Sequence, residues 1–121
     1  MLRLKAGANP YHLQPEVVLL AMIVFSVYAK YGYDCEITSL YDDAPGRLAR
    51  SLHRRDEQCR AADFKTKHVH RQDLEPMRME IRRAVGQYGQ FYDFIYEPEE
   101  RDDQGRVVRE EHYHAEYDPK P

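Results

Sequence analysis

The chain has 121 residues, 42% of them hydrophobic and 32% charged, with a formal net charge of −3. That length and balance fit one globular domain, residues 1–121, with a modest core, and exclude a disordered chain. The slight acidic excess, without a long basic face, argues against nucleic acid as the main partner.

Residues 1–14 read as an N-terminal arm, irregular or extended, with Asn9-Pro10 as a turn signal. Residues 17–29 form the only long apolar run. The run is too short for a comfortable membrane span and has no basic stretch directly before it. The expectation is therefore a core helix, with no signal peptide and no membrane partner, in a chain that is cytoplasmic as made. Pro15 and Glu16 suit a first helical turn, where proline has no N–H to lose and a carboxylate meets the positive end of the dipole. Gly32 is the stop signal after Lys30 or Tyr31. The helix is apolar on nearly every side, which predicts that it is well buried.

Tyr33 to Ser39 alternates as a strand. Asp42 to Gly46 is a loop signal. Arg47, Arg50, Arg54 and Arg55 then crowd around His53, as a solvated basic loop or as an anion-binding rim. Cys59 to Thr66 reads as a second strand, with Asp63 inside it. Cys35 and Cys59 do not make a disulfide framework and are expected as free thiols. His68 and His70 read as solvated surface. Asp73 to Gly86 is a second helix, capped by Asp73, with Leu74, Met77, Ile81 and Val85 at helical spacing. Phe91 to Tyr96 is a third strand. Asp102 to Gly105 is a hairpin turn signal, and Arg106 to Tyr117 is the returning strand. The order predicts an α+β fold: an antiparallel sheet of about four strands with two main helices on one side.

The chemistry concentrates in the returning strand. Side chains two apart on a strand share a face, so His112 and His114 point out together, and strict alternation adds Glu110. A catalytic zinc usually takes three protein ligands and keeps one position open for water. His53 and Asp63 from one segment and His114 from another can supply those ligands. Glu110, Glu111 and His112 lie within reach as proton carriers.

Taken in order, Ile37-Thr38-Ser39, Ser51-Leu52-His53, Arg60-Ala61-Ala62-Asp63-Phe64 and His112-Tyr113-His114-Ala115-Glu116-Tyr117-Asp118-Pro119 resemble the D-Ala-D-Ala metallopeptidase family. These are zinc carboxypeptidases and endopeptidases of peptidoglycan, including small phage-encoded members of the endolysin type, which share a fold with the hedgehog signalling domain. The resemblance spans roughly residues 15–119. It implies that His53, Asp63 and His114 hold Zn2+, and that Glu111, three before His114, is the general base. It implies that His112 accompanies the site and that Ser51 contacts substrate. The partner it implies is a peptidoglycan stem peptide, cut beside a D-amino acid at the cell wall after release.

The chain also departs from the family pattern. Asp63 lies ten residues after His53, a longer spacing than usual. Cys59 stands where the family has glycine. The arginine that often follows the first motif is absent, leaving Arg47 or Arg50 to replace it. Bare alternation favours Glu110 as the base, whereas the family form favours Glu111, which turns inward only if the strand starts later or bulges. A catalytically inactive zinc-binding module of the same fold, serving binding or phage assembly, is the alternative. Nothing in the sequence specifies an oligomeric state.

Overall fold

The computed structural model describes residues 1–41 and 58–119. Its elements are β1 (Leu2–Leu4), α1 (Pro15–Lys30), β2 (Cys35–Ser39), β3 (Ala61–Lys65), α2 (Arg71–Gly86), β4 (Tyr92–Glu97), β5 (Glu100–Arg101), β6 (Val107–Arg109) and β7 (His112–Tyr117). Five strands form one sheet in the order β1-β2-β3-β7-β4, and β5 and β6 pair separately. Every neighbour pair is antiparallel except β1 with β2. The architecture is α+β, as expected. No described helix is long and apolar enough to cross a membrane.

The fifth strand comes from the arm. Leu2, Arg3 and Leu4 pair with Cys35, Glu36 and Ile37, and Lys5 N–H donates to the Ile37 carbonyl at 2.8 Å. The extended start of the arm thus covers the edge of β2, which would otherwise present unpaired backbone groups.

The ladders of β3, β7 and β4 run without a register shift, so their side chains alternate. Ala62 and Phe64, Tyr113 and Ala115, and Phe94 point to one face and join the core cluster. From α1, Val17, Leu20, Val24, Val27 and Tyr28 fill the same cluster, and from α2, Met77, Ile81 and Val85. Both helices therefore cover one face of the sheet. Burial of this cluster drives the fold, at about 25 cal/mol per Å² of apolar surface removed from water. α1 is well buried on the side that meets the sheet, whereas Val18 and Met22 on its outer side remain 45% and 43% exposed.

Gly32, with φ +85°, ends α1 in a left-handed turn. Its N–H donates to the Ala29 carbonyl at 3.0 Å and that of Tyr33 to the Tyr28 carbonyl at 2.9 Å, the two bonds of a Schellman motif. The second helix starts at Arg71, two residues earlier than predicted, and its N-cap His70 makes no side-chain cap. Asp73 is committed elsewhere: its Oδ2 accepts the Tyr33 hydroxyl at 2.5 Å, tying α2 to the turn after α1.

The predicted returning strand is two strands. β6 closes a small hairpin around Asp102–Gly105, where Asp102 Oδ1 accepts the N–H groups of Gln104 and Arg106, both at 2.9 Å. Glu110 and Glu111 belong to neither ladder, and β7 begins at His112. β7 then runs between β3 and β4, at the middle of the covered part of the sheet.

Candidate active site on the open face of the sheet

The face opposite the helices carries the polar side chains of three adjacent strands. Along β7 these are His112, His114 and Glu116. Asp63 on β3 stands directly across from His114, and Glu97 on β4 directly across from His112. The order of the strands thus joins groups that are far apart in the chain.

His114 Nδ1 donates to Asp63 Oδ1 at 2.7 Å. Burial of the imidazole works against its charge. The hydrogen bond and charge of Asp63, with Glu116 and Glu97 nearby, outweigh that effect and hold its pKa above the ordinary value. On the other ring nitrogen, Nε2 lies 3.8 Å from Glu116 Oε1. His112 is buried, and its Nδ1 is 2.8 Å from the Glu110 carbonyl, which can only accept. The proton is therefore on Nδ1, and in the neutral ring Nε2 presents a lone pair. That Nε2 lies 3.6 Å from Glu97 Oε1 and 3.9 Å from Asp63 Oδ1. A ring nitrogen fixed by a backbone carbonyl, with its partner turned to carboxylates, is the arrangement that orients histidines beside metal ions.

Three carboxylates, those of Asp63, Glu97 and Glu116, surround the two imidazoles. Such a half-buried acidic setting favours a cation, whether a proton on a ring or a metal ion. Glu116 also borders an open groove of about 840 Å³, lined further by Arg82, Gln90, Tyr92, Asp93 and Asp118.

The donor types fit zinc: Asp63 offers a carboxylate oxygen and His114 an imidazole nitrogen. Their 2.7 Å contact is closer than the separation of about 3.3 Å between ligands on a tetrahedral zinc ion, so a bound ion replaces that hydrogen bond. Among the described residues, no three His, Cys, Asp or Glu side chains are grouped to hold a metal ion on their own. His53, the remaining expected ligand, lies outside the described residues. So do Ser51, Arg47 and Arg50, the expected substrate contacts.

The two candidate bases are not placed with the histidines. Glu111 turns to the helix side of the sheet. Its Oε2 accepts from Arg71 Nη1 at 2.6 Å and the Tyr96 hydroxyl at 2.8 Å, while Oε1 accepts from Arg71 Nη2 at 2.6 Å and the Thr66 hydroxyl at 3.2 Å. The later start of β7 was the condition for Glu111 to turn inward. It is met, yet the carboxylate follows Tyr113 toward α2, because Arg71 and Tyr96 wait there. The hydrogen bonds from Arg71, opposed by partial burial and reinforced by Tyr96 and Thr66, hold its pKa below the ordinary carboxylate value. A carboxylate so fully engaged is a poor proton acceptor. Glu110 is exposed and pairs with Lys67 Nζ at 3.6 Å.

Glu97 is the group that sequence reasoning missed. The expected third strand ends at Tyr96, which leaves Glu97 outside it. The strand runs one residue further, and that residue falls in register with His112. Alternation of Asp93, Ile95 and Glu97 on one face was the available signal.

His68 and His70 lie at the start of α2, away from this face. His68 Nε2 is 2.7 Å from the Asp34 carbonyl, so its ring is held by the backbone rather than only solvated.

Comparison with protein-family models, with curated proteins and with solved structures finds no match to this chain.

Proposed function

We propose that this chain is a zinc-dependent peptidase that hydrolyses a peptidoglycan peptide bond next to a D-amino acid, as a D-Ala-D-Ala carboxypeptidase or an endolysin-type endopeptidase. The observation that carries the reading is the Asp63–His114 pair. These residues come from two separate motifs of the resemblance, lie 51 positions apart, and meet in register on a half-buried acidic face at 2.7 Å.

In this reading Asp63 and His114 hold the ion with His53. Bound zinc supplies a Lewis acid that polarises a carbonyl and makes water a stronger acid. Asp63 and His114 enter as neighbours whose strands already fix their separation, so little ordering cost remains. His112, locked by the Glu110 carbonyl, keeps its Nε2 directed at the same spot. The resemblance assigns a substrate contact to Ser51; Arg47 or Arg50, whose guanidinium forks match a carboxylate, would replace the family arginine that this chain lacks.

The test uses protein purified without a histidine tag. Zinc content per chain and release of products from muropeptides are measured for the wild type, His114→Ala and Asp63→Asn. The reading expects about one zinc per chain and product release in the wild type, with both reduced in each variant. Wild-type zinc and product release in His114→Ala would remove the reading.

A second reading is an inactive zinc-binding module of the same fold, serving binding or phage assembly. It is favoured by Glu111, the motif-matched base, being tied to Arg71 and Tyr96. Stoichiometric zinc without cleavage of any muropeptide separates it from the enzyme.

A further inference from the structure

We infer that the proton-carrying carboxylate of this site is Glu97, and neither Glu111 nor Glu110; the inference rests on the peptidase reading and names the residue that performs its acid–base step.

Three observations lead there. The first is position: Glu97 is the β4 partner of His112, on the face that carries Asp63 and His114. Its Oε1 is 3.6 Å from His112 Nε2 and 4.0 Å from His114 Nδ1. The second is orientation. Glu97 Oε2 forms an ion pair with Arg109 Nη1 at 3.0 Å, and Oε1 is the oxygen nearer the imidazoles. Arg109 also reaches Glu100, 3.6 Å away, which anchors it across the β5–β6 hairpin. The hairpin that interrupts the returning strand thus supplies the clamp that aims Glu97. The third is exclusion, because both oxygens of Glu111 are engaged from the helix side and Glu110 faces Lys67. The side chain of Glu97 is 25% exposed, open enough to meet a water and enclosed enough to keep one orientation.

Chemically, Glu97 Oε1 takes a proton from the attacking water while the water oxygen bonds to the scissile carbonyl carbon. That proton then passes to the amide nitrogen as the carbon–nitrogen bond breaks. The products are a carboxylic acid and an amine, and Glu97 returns to its carboxylate form. General base and acid are thus one group used twice.

Wild type, Glu97→Gln, Glu97→Asp and Glu111→Gln are compared on muropeptides from purified peptidoglycan, with kcat and KM resolved separately, zinc per chain measured, and folding followed by circular dichroism. Glu97→Gln is expected to lower kcat by on the order of 10²- to 10⁴-fold. It is expected to keep the zinc content and to hold KM within about twofold. Glu97→Asp retains more of kcat than Glu97→Gln. Glu111→Gln melts at a lower temperature yet keeps kcat within about threefold while folded. Wild-type kcat in Glu97→Gln overturns the assignment, as does loss of kcat in folded Glu111→Gln. Loss of zinc from Glu97→Gln also overturns it, making Glu97 a ligand instead. If the wild type releases no product at all, the peptidase reading itself falls and this assignment falls with it.

Discussion

Arg71, the first residue of α2, grips both carboxylate oxygens of Glu111, with Nη1–Oε2 and Nη2–Oε1 each 2.6 Å. The same guanidinium donates through Nη2 to the carbonyls of Thr66 at 3.2 Å and Val69 at 3.1 Å. One side chain thereby fastens the entry to β7, the end of β3 and the start of α2. Glu111 is only 13% exposed, so removing its partner leaves a poorly solvated charge. Arg71→Ala and Glu111→Gln are each expected to lower stability by about 1–3 kcal/mol. In a double-mutant cycle by urea denaturation their effects should be less than additive, because both remove one interaction.

The same pair sets a pH dependence. Arg71 holds the folded-state pKa of Glu111 below its ordinary value of 4.5. The unfolded chain therefore binds this proton more readily than the folded chain. The stabilisation is complete above the unfolded value and is lost as the pH falls through the folded one. Wild-type stability should drop on acidification below about pH 4.5, with a smaller drop in Glu111→Gln. Melting temperatures measured from pH 7 down to about pH 3 check the sign.

Metal removal gives a prediction that needs no substrate. On the zinc reading the ion binds the folded chain and not the unfolded one. At free zinc 100 times Kd it adds about 2.7 kcal/mol. A chelator should lower the wild-type Tm and leave that of His114→Ala unchanged. Equal responses in both proteins count against Asp63 and His114 as ligands.

Two glycine substitutions should act with opposite signs. Gly32 has φ +85° and nothing within 4 Å of an added Cβ, so Gly32→Ala costs conformational strain alone, about 1 kcal/mol. Gly86 is the last residue of α2, exposed and equally open. There, Gly86→Ala gains helix propensity and should stabilise by about 0.4–1 kcal/mol. Thermal melting of the two variants in parallel checks this.

Cys35 and Cys59 are free and fully buried. Burial pushes the Cys35 thiol up to about 12 and the Cys59 thiol up to about 11. Thiolate is the reactive form, so neither should be modified by a disulfide reagent at about pH 8 while the chain is folded. Both should react promptly in denaturant. Rapid labelling of the native protein would contradict the burial of these two thiols.

Much of the architecture was legible because it depends on local chemistry. The run from Val17, the Gly32 stop, and the alternation of Phe91 to Tyr96 and of His112 to Tyr117 each specify an element from its own residues. The same alternation paired His112 with His114 on one face. What the residues alone left open was the company they keep. Arg3 gives no local sign that the arm becomes an edge strand; only the exposed backbone of β2 recruits it. Asp73 looked like a cap, but the Tyr33 hydroxyl, brought close by packing of the two helices, claims its carboxylate.

At the site the division is sharper. By itself the sequence determined that His112 and His114 share a face, since a strand has a period of two. The tertiary structure decided which carboxylates meet them. Insertion of β7 between β3 and β4 sets Asp63 against His114 and Glu97 against His112. The family form favoured Glu111 as the base and bare alternation Glu110, yet Arg71 on the other side of the sheet draws Glu111 away and Glu110 pairs with Lys67. A strand order and an ion pair are both long-range facts, and no window of neighbouring residues contains them.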